Sequence, residues 1–175
     1  MRRKSRLRGA AMGFNEDMFA LLKTKQWGAC HQRIAQEERV DTREARVSTA
    51  LWRATIFERE NRYDDALRTL DAIQPEVFTQ CGLLWERAKI LYRMGKYPAA
   101  IETLHDAPFG AEIDTFPGIT YEAIFLYCYL LKKSGHEAPL NLLTTLPDDF
   151  GTRFYERRRL TKADLLPAGA SAPPT

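Results

Sequence analysis

The sequence predicts an all-α fold, a stack of about four helix–turn–helix hairpins closed by a C-terminal capping helix. The main observation is an internal repeat, because residues 51–70 and 85–104 superimpose at an offset of 34 residues. The recurring positions are two small residues, a turn residue, an aromatic residue and an aliphatic residue, in the pairs Ala54/Ala88, Ala66/Ala100, Asn61/Gly95, Tyr63/Tyr97 and Leu70/Leu104. A period of about 34 residues is typical of arrays of helical hairpins. The composition, 45% hydrophobic and 28% charged, is that of an ordinary globular chain.

Each recurring position has a physical role in a helical hairpin. Small residues such as Ala54 and Ala66 let two helices cross with their axes about 8–10 Å apart. Asn61 and Gly95 fall at the turn. The residue that follows a helix there adopts a left-handed conformation, which has a low energetic cost only for glycine or asparagine. These residues and their spacing resemble the tetratricopeptide repeat (TPR) family. The resemblance implies a right-handed α-solenoid that serves as a protein-interaction scaffold, with the first helix of each hairpin lining a concave groove.

Length, cysteine content and hydropathy set the broad class. The 175 residues are enough for one domain with its own core. Three cysteines form an odd set without metal-ligand spacing, so we expect buried thiols in a reducing compartment and predict a cytoplasmic protein. The longest apolar run, residues 123–131, is shorter than the roughly 20 residues that a membrane span needs. This run predicts a buried helix, and the sequence predicts no transmembrane segment.

The charges divide the chain into a central body and two basic ends. Residues 1–12 contain five basic residues and no acidic residue, and residues 153–175 also have an excess of basic residues over acidic ones. The body between them is mildly acidic. A dedicated nucleic-acid binder would carry its basic surface within the fold, so a nucleic-acid partner is not expected.

The predicted domain order is a basic disordered leader (1–13), a TPR-like helical repeat domain (14–160) and a flexible tail (161–175). In the first hairpin Asn15 is predicted to cap the first helix, and Trp27, Cys30 and Ile34 match Tyr63, Ala66 and Leu70 at an offset of 36 residues. The second and third hairpins are the two clear repeats. An irregular stretch at 108–118, either a functional loop or a tolerated insertion, precedes a fourth hairpin at 119–134 and 136–146. A capping helix is predicted over 148–160, with Phe150 and Phe154 on one side.

No catalytic constellation is found. The three histidines have no acid–base or metal spacing, and the sequence contains no glycine-rich phosphate loop and no nucleophile motif. The sequence therefore predicts a protein that is not an enzyme and that has no cofactor and no metal site.

The candidate binding surface is a second stripe on the first helices. On the third hairpin the core stripe is Leu84, Ala88 and Leu91, and Trp85, Lys89 and Tyr92 follow it at a rotation of about 100°. The predicted partner-binding residues are Phe19, Lys23, Arg59, Trp85, Lys89, Tyr92, Arg93, Phe125, Tyr129, Lys132 and Lys133. In one interpretation these cations complement helix dipoles and the aromatic residues pack between helices. In the other they line a groove for an acidic or carboxylate-bearing peptide.

The functional prediction is a protein–protein interaction module, a scaffold or adaptor that binds a partner segment in its groove. The carboxylate-clamp subset of TPR domains is not supported, because Trp85 and Phe125 stand where polar residues are expected. One alternative is a dedicated chaperone for a single client, similar to the small TPR chaperones of secretion. Another is an RNA-associated helical-repeat protein. The basic run Arg153, Arg157, Arg158 and Arg159 is either a solvated helix face or a patch for RNA or acidic lipid.

Overall fold

The computed structural model describes residues 2–73, 79–152 and 158–167, with side chains from residue 13 onward. The chain divides into two compact units, Met1–Phe78 (unit 1) and Thr79–Thr175 (unit 2). Unit 1 contains α1 (Arg2–Lys23), α2 (Trp27–Glu37), α3 (Arg43–Arg59) and α4 (Tyr63–Asp71). Unit 2 contains α5 (Gln80–Arg93), α6 (Tyr97–His105), α7 (Phe109–Glu112), α8 (Pro117–Lys133), α9 (Leu140–Thr145), β1 (Gly151–Thr152), β2 (Leu160–Thr161) and α10 (Lys162–Leu165). The described residues are mostly helical, which confirms the predicted helical class.

The first helix of each hairpin ends in the same turn. A residue with positive φ follows it in every case: Lys25 (56°), Asn61 (60°), Gly95 (75°) and Gly135 (81°). In the third hairpin Gly95 N donates to Tyr92 O at 2.9 Å, and Lys96 N donates to Leu91 O at 2.9 Å. This pair of bonds is a Schellman motif, and it satisfies carbonyls that the helix end would leave unpaired. The turn role predicted for Asn61 and Gly95 is confirmed, and Lys25 takes the same role without being glycine or asparagine.

The repeat positions occupy equivalent environments in the two clear hairpins. Ala54 and Ala66 are buried where α3 packs against α4, and Ala88 and Ala100 are buried where α5 packs against α6. Leu70 and Leu104, at the aliphatic repeat position, are buried as well. The two hairpins are therefore confirmed as structural units. Their stacking into a right-handed solenoid stays a prediction.

Unit 1 differs from the prediction at its start. Helix α1 begins at Arg2, so helical backbone runs through the basic segment for which the sequence predicts a disordered leader. Residues 7–12 are Leu, Arg, Gly, Ala, Ala and Met, and all of them except the glycine favour helix. Asn15 consequently lies inside α1 and is not a cap. Its Oδ1 accepts a hydrogen bond from Trp52 Nε1 at 2.8 Å, which joins α1 to α3.

The core of unit 1 joins the first hairpin to α3. It consists of five buried side chains, Phe14, Met18, Cys30, Ile34 and Ile56. Two of them, Cys30 and Ile34, are positions that the 36-residue offset assigned to the first hairpin, so the burial of that predicted hairpin is confirmed.

Unit 2 is built around α8. Every side chain from residue 123 to 130 is buried, and α8 packs against α5, α6, α7, α9 and α10. The predicted buried helix is thus confirmed. The segment 108–118 is partly helical, because it contains α7. The Glu112 carboxylate at the end of α7 accepts hydrogen bonds from Gln80 N (2.8 Å) and Cys81 N (3.1 Å), the first amides of α5.

The fourth hairpin is irregular in its second half. Helix α9 begins at Leu140, although the sequence predicts a start at His136. Pro139 disfavours helical backbone at the residue before it and therefore delays the helix. Leu140, which follows the turn as Ala66 and Ala100 do, is 56% exposed, while Ala138 and Leu143 are buried. This hairpin therefore does not repeat the helix crossing of the hairpins α3–α4 and α5–α6.

The predicted capping helix over 148–160 is wrong. In the described part of this segment, β1 pairs antiparallel with β2, with Gly151 opposite Thr161 and Thr152 opposite Leu160. A Cβ on Gly151 would lie 2.6 Å from Leu160 O, so the close approach of the two strands requires glycine. Phe150 nevertheless packs against α8, with its ring centroid 5.6 Å from that of Phe125. Phe154 lies outside the described residues.

The segment predicted as a flexible tail starts with ordered structure, because Thr161 lies in β2 and Leu165 of α10 is buried.

Within the described ranges, no helix combines the length and the apolar character needed to cross a bilayer.

Candidate functional site

The predicted binding residues of unit 1 lie on its surface. Phe19 on α1 is 63% exposed, and its ring packs edge-to-face with that of Trp52 on α3, with centroids 4.8 Å apart. Lys23 and Arg59, at the ends of α1 and α3, are exposed. Trp52 was not predicted as part of the site, although it follows Leu51 in the repeat.

Two predicted groove residues of unit 2 lie in its interior, and here the prediction is wrong. Lys89 is only 5% exposed. Its Nζ lies 2.9 Å from Glu86 Oε2 and 4.0 Å from the centroid of the Trp85 ring. Phe125 is completely buried against Phe150. The predicted positions follow from the period of an isolated helix. In the folded chain, neighbouring elements cover both of these side chains.

The buried Lys89 also faces a second carboxylate. Burial raises the pKa of Glu122 on α8, and the positive charge of Lys89 opposes that rise. Buried charges of this kind are costly unless they are paired. Lys89 therefore has a structural role in a buried ionic cluster. Arg93, one turn further along α5, is exposed.

Three other predicted residues of unit 2, Tyr92, Tyr129 and Lys133, come together near the C-terminal end of α8. Tyr92 of α5, Tyr97 of α6 and Tyr129 of α8 surround the Lys133 ammonium, whose nitrogen lies 5.7, 5.5 and 5.3 Å from their respective ring centroids. These distances are in the range of cation–π attraction. Lys133 Nζ also donates to Tyr129 Oη at 3.0 Å. We call these four residues the tyrosine–lysine cluster.

Tyr97 is the member that sequence reasoning missed. It was treated only as the repeat aromatic that opens a second helix, and the groove prediction considered first helices alone. Its ring centroid lies 5.6 Å from that of Tyr92, which in turn lies 5.9 Å from Tyr129. The signal was the aromatic spacing between Tyr92 and Tyr97 across the turn at Gly95.

A pocket of about 610 Å³ opens beside the tyrosine–lysine cluster. We call it the cationic pocket, and its lining residues are Tyr129, Lys132, Lys133, Arg158, Leu160, Asp164 and Leu165. Three of them, Tyr129, Lys132 and Lys133, belong to the predicted site. The other four come from the segment predicted as capping helix and tail. Three cations and one carboxylate give the described lining a formal charge of +2.

The C-terminal segment is fixed to α8 by Lys132. Its Nζ donates to Asp164 O at 2.8 Å and to Leu166 O at 2.9 Å. These bonds hold α10 over α8 and also hold the ammonium group in place. Both acceptors are carbonyl oxygens, so among the described contacts of Lys132 no carboxylate neutralises its charge.

Asp164 is the single carboxylate of the described pocket lining, and Arg158 compensates its charge. Its Oδ1 accepts from Arg158 at 2.9 Å, and its Oδ2 accepts from Thr161 N at 2.8 Å. The bond from Arg158, followed by the bond from Thr161 N, lowers the pKa of Asp164 to about 2. Because this pKa lies below that of the unfolded chain, the ionised carboxylate stabilises the fold at neutral pH. That stabilisation is lost as the pH falls from the usual aspartate range toward 2.

The three cysteines are buried, as the sequence predicts. Cys30, Cys81 and Cys128 are free thiols without solvent exposure. Burial raises the pKa of both Cys81 and Cys128 to about 12. A raised pKa favours the protonated thiol, which is the less nucleophilic form. In the part of the chain that the structure describes, no three acidic, histidine or cysteine side chains are placed to hold a metal ion.

The fold and the site together define a helical-hairpin protein with a cationic pocket, lined in part by Tyr129, in its C-terminal unit. Comparison with protein-family models, curated proteins and solved structures finds no match in any of the three.

Proposed function

We propose that the chain is a protein-interaction module of the TPR type that binds an acidic or carboxylate-bearing segment of a partner protein. The observation that carries the proposal is the cationic pocket, in which Lys132, Lys133 and Arg158 line one volume together with Tyr129. Tyrosine and arginine are the residues most often found as anchors of protein recognition. The proposal moves the binding surface from a groove along all first helices to the end of α8.

The pocket offers both parts of a peptide-binding site. Its cations attract acidic side chains and steer their approach, and this attraction weakens as salt is added. Leu160 and Leu165 give it an apolar wall on which a neighbouring side chain of the segment can pack. Lys132 is already immobilised by two carbonyls, so it loses little freedom when it binds a partner.

The test compares a short glutamate-rich peptide with a lysine-rich peptide of equal length, with binding to the full chain measured by fluorescence anisotropy. We expect the glutamate-rich peptide to bind and its affinity to fall as salt rises. Lys132→Glu and Lys133→Glu should each weaken binding about tenfold or more, since each reverses a charge at the pocket. Lys89 is unsuited to this test, because the buried ion pair would be broken with it.

The matched control is Lys23→Glu, which makes the same charge change on the surface of unit 1. It should bind the peptide as the parent does. Because Lys132 also holds α10 onto α8, all variants are compared at equal folded fraction. Equal binding of both peptides, or a larger loss in Lys23→Glu than in Lys132→Glu, would contradict the proposal.

A further inference from the structure

Three ionisable side chains come together where α5 packs against α8. Lys89 of α5 is 5% exposed, and its Nζ lies 2.9 Å from Glu86 Oε2 on the same helix. Glu122 of α8 faces them, and the positive charge of Lys89 acts on it. Among the described contacts, one cation therefore faces two carboxylates. We call these three residues the glutamate–lysine cluster.

Glu122 is the weakly paired member of this cluster. Its Oε2 is buried, and it accepts no hydrogen bond from the described residues. A buried carboxylate oxygen without a donor is costly when the group is ionised, and a proton on the carboxyl removes most of that cost. Burial accordingly raises the pKa of Glu122, and Lys89 offsets only part of the rise. Any further partner of the Lys89 ammonium would leave less of its charge for Glu122.

The other helices that pack against α8 direct their charged groups elsewhere. Helix α9 has no ionisable side chain. On the remaining helices, Glu112 binds the first amides of α5, His105 hydrogen-bonds Tyr127, Asp164 binds Arg158, Lys162 binds Asp148, and Glu102 is exposed. The charge balance at Glu122 is therefore set by α5.

We propose that the glutamate–lysine cluster is a proton-binding site, at which the Glu122 carboxyl takes up one proton from solvent as the pH falls and thereby stabilises the packing of α5 against α8. The cluster does not involve the cationic pocket, so this role is independent of the proposed function. Because the pKa of Glu122 is higher in the folded than in the unfolded chain, the ionised carboxylate costs stability at high pH. That cost disappears as the pH falls through the folded-state pKa toward the ordinary glutamate range.

Asp164 in the same unit has the opposite pH dependence. Its contribution is lost only between the ordinary aspartate range and about 2, where its lowered pKa lies. Acidification from high pH therefore removes the cost at Glu122 before it removes the stabilisation by Asp164. Together the two groups favour mildly acidic conditions for unit 2.

Carbon-13 NMR of the side-chain carboxyls follows the protonation of Glu122 in the full chain, with its signal assigned through the bonded side-chain protons. We expect its titration midpoint to lie above the ordinary glutamate value of about 4.3. Glu86→Gln should lower that midpoint, because it removes a like charge and leaves more of the Lys89 charge for Glu122. A midpoint at or below the ordinary value, or one that Glu86→Gln leaves unchanged or raises, would overturn the proposal.

Urea denaturation from about pH 8 to about pH 4.5 measures the linked change in stability. Glu122→Gln resembles the protonated carboxyl, so its urea midpoint should gain most over that of the parent at the highest pH, and the gain should shrink as the pH falls. Glu102→Gln makes the same change at an exposed site of α6 and should keep the parent's pH profile. The amide adds a packing cost that is the same at every pH, so the slope of the difference with pH is the decisive quantity. A difference between Glu122→Gln and the parent that stays constant with pH would contradict proton uptake at Glu122.

Discussion

The hairpin α3–α4 of unit 1 and the hairpin α5–α6 of unit 2 have the same helix–turn–helix structure but carry different surface residues. Positions 34 residues apart have the same environment at the crossing and at the turn: Ala66 and Ala100 are buried, and Asn61 and Gly95 both have positive φ. Between these positions the two hairpins diverge. Tyr92, which belongs to the tyrosine–lysine cluster, corresponds to the buried Glu58. The repeat therefore sets the hairpin, and the residues between repeat positions decide whether it contributes to a site.

The two hairpins also differ at the start of their first helices. Thr42 caps α3 by accepting from Ala45 N at 3.1 Å, and Thr79 caps α5 by accepting from Gly82 N at 2.9 Å. Helix α5 has a second partner, because the Glu112 carboxylate binds its first two amides. The segment that interrupts the repeat after α6 thus stabilises the helix that carries Tyr92.

The largest expected effect tests the similarity of the hairpins. Ala66→Leu and Ala100→Leu should each lower the free energy of unfolding by about 1–3 kcal/mol, because leucine overpacks a helix crossing at which the alanine is fully buried. Urea denaturation monitored by circular dichroism measures the change. Glu102→Leu, on the exposed face of α6, is the control and should be nearly neutral. A neutral effect at both alanines would remove the basis for equating the two hairpins.

A smaller effect should separate the two hairpins. Glu112→Gln should lower the free energy of unfolding by about 1–2 kcal/mol, because hydrogen bonds from helix amides to a charged carboxylate are stronger than those to a neutral amide. The same urea titration measures it. Asp114→Asn removes an exposed acidic charge from the same segment and should leave stability unchanged. If the two variants have equal stability, Glu112 does not stabilise the start of α5.

The smallest effect concerns the turns. Lys25→Gly should raise the free energy of unfolding by about 0.5 kcal/mol, since the relief of left-handed strain outweighs the extra entropy of glycine in the unfolded chain. Asn61→Gly should give less, because asparagine tolerates positive φ better than lysine. Thermal melts of the two variants and the parent provide the comparison. A destabilised Lys25→Gly variant would mean that the lysine side chain stabilises its turn by more than the strain costs.

The sequence by itself determined the hairpins. Small residues, turn residues and aliphatic residues at a fixed period specify local helix–turn–helix structure, and their neighbours lie within the same short stretch of chain. The buried helix at residues 123–131 was predictable for a related reason, since an apolar run has one favourable environment. Three residues of the cationic pocket, Tyr129, Lys132 and Lys133, were likewise found from their phase on one helix.

Only the tertiary structure decided which of the predicted site residues are accessible and what completes the pocket. The helical phase of Lys89 and Phe125 is correct, but a phase does not reveal which faces neighbouring elements will cover. The pocket also depends on Arg158, Leu160 and Asp164, and the approach of their segment to α8 depends on a strand pairing at Gly151 and on two hydrogen bonds from Lys132. Such contacts join residues that are far apart in the chain, so a local period in the sequence does not predict them.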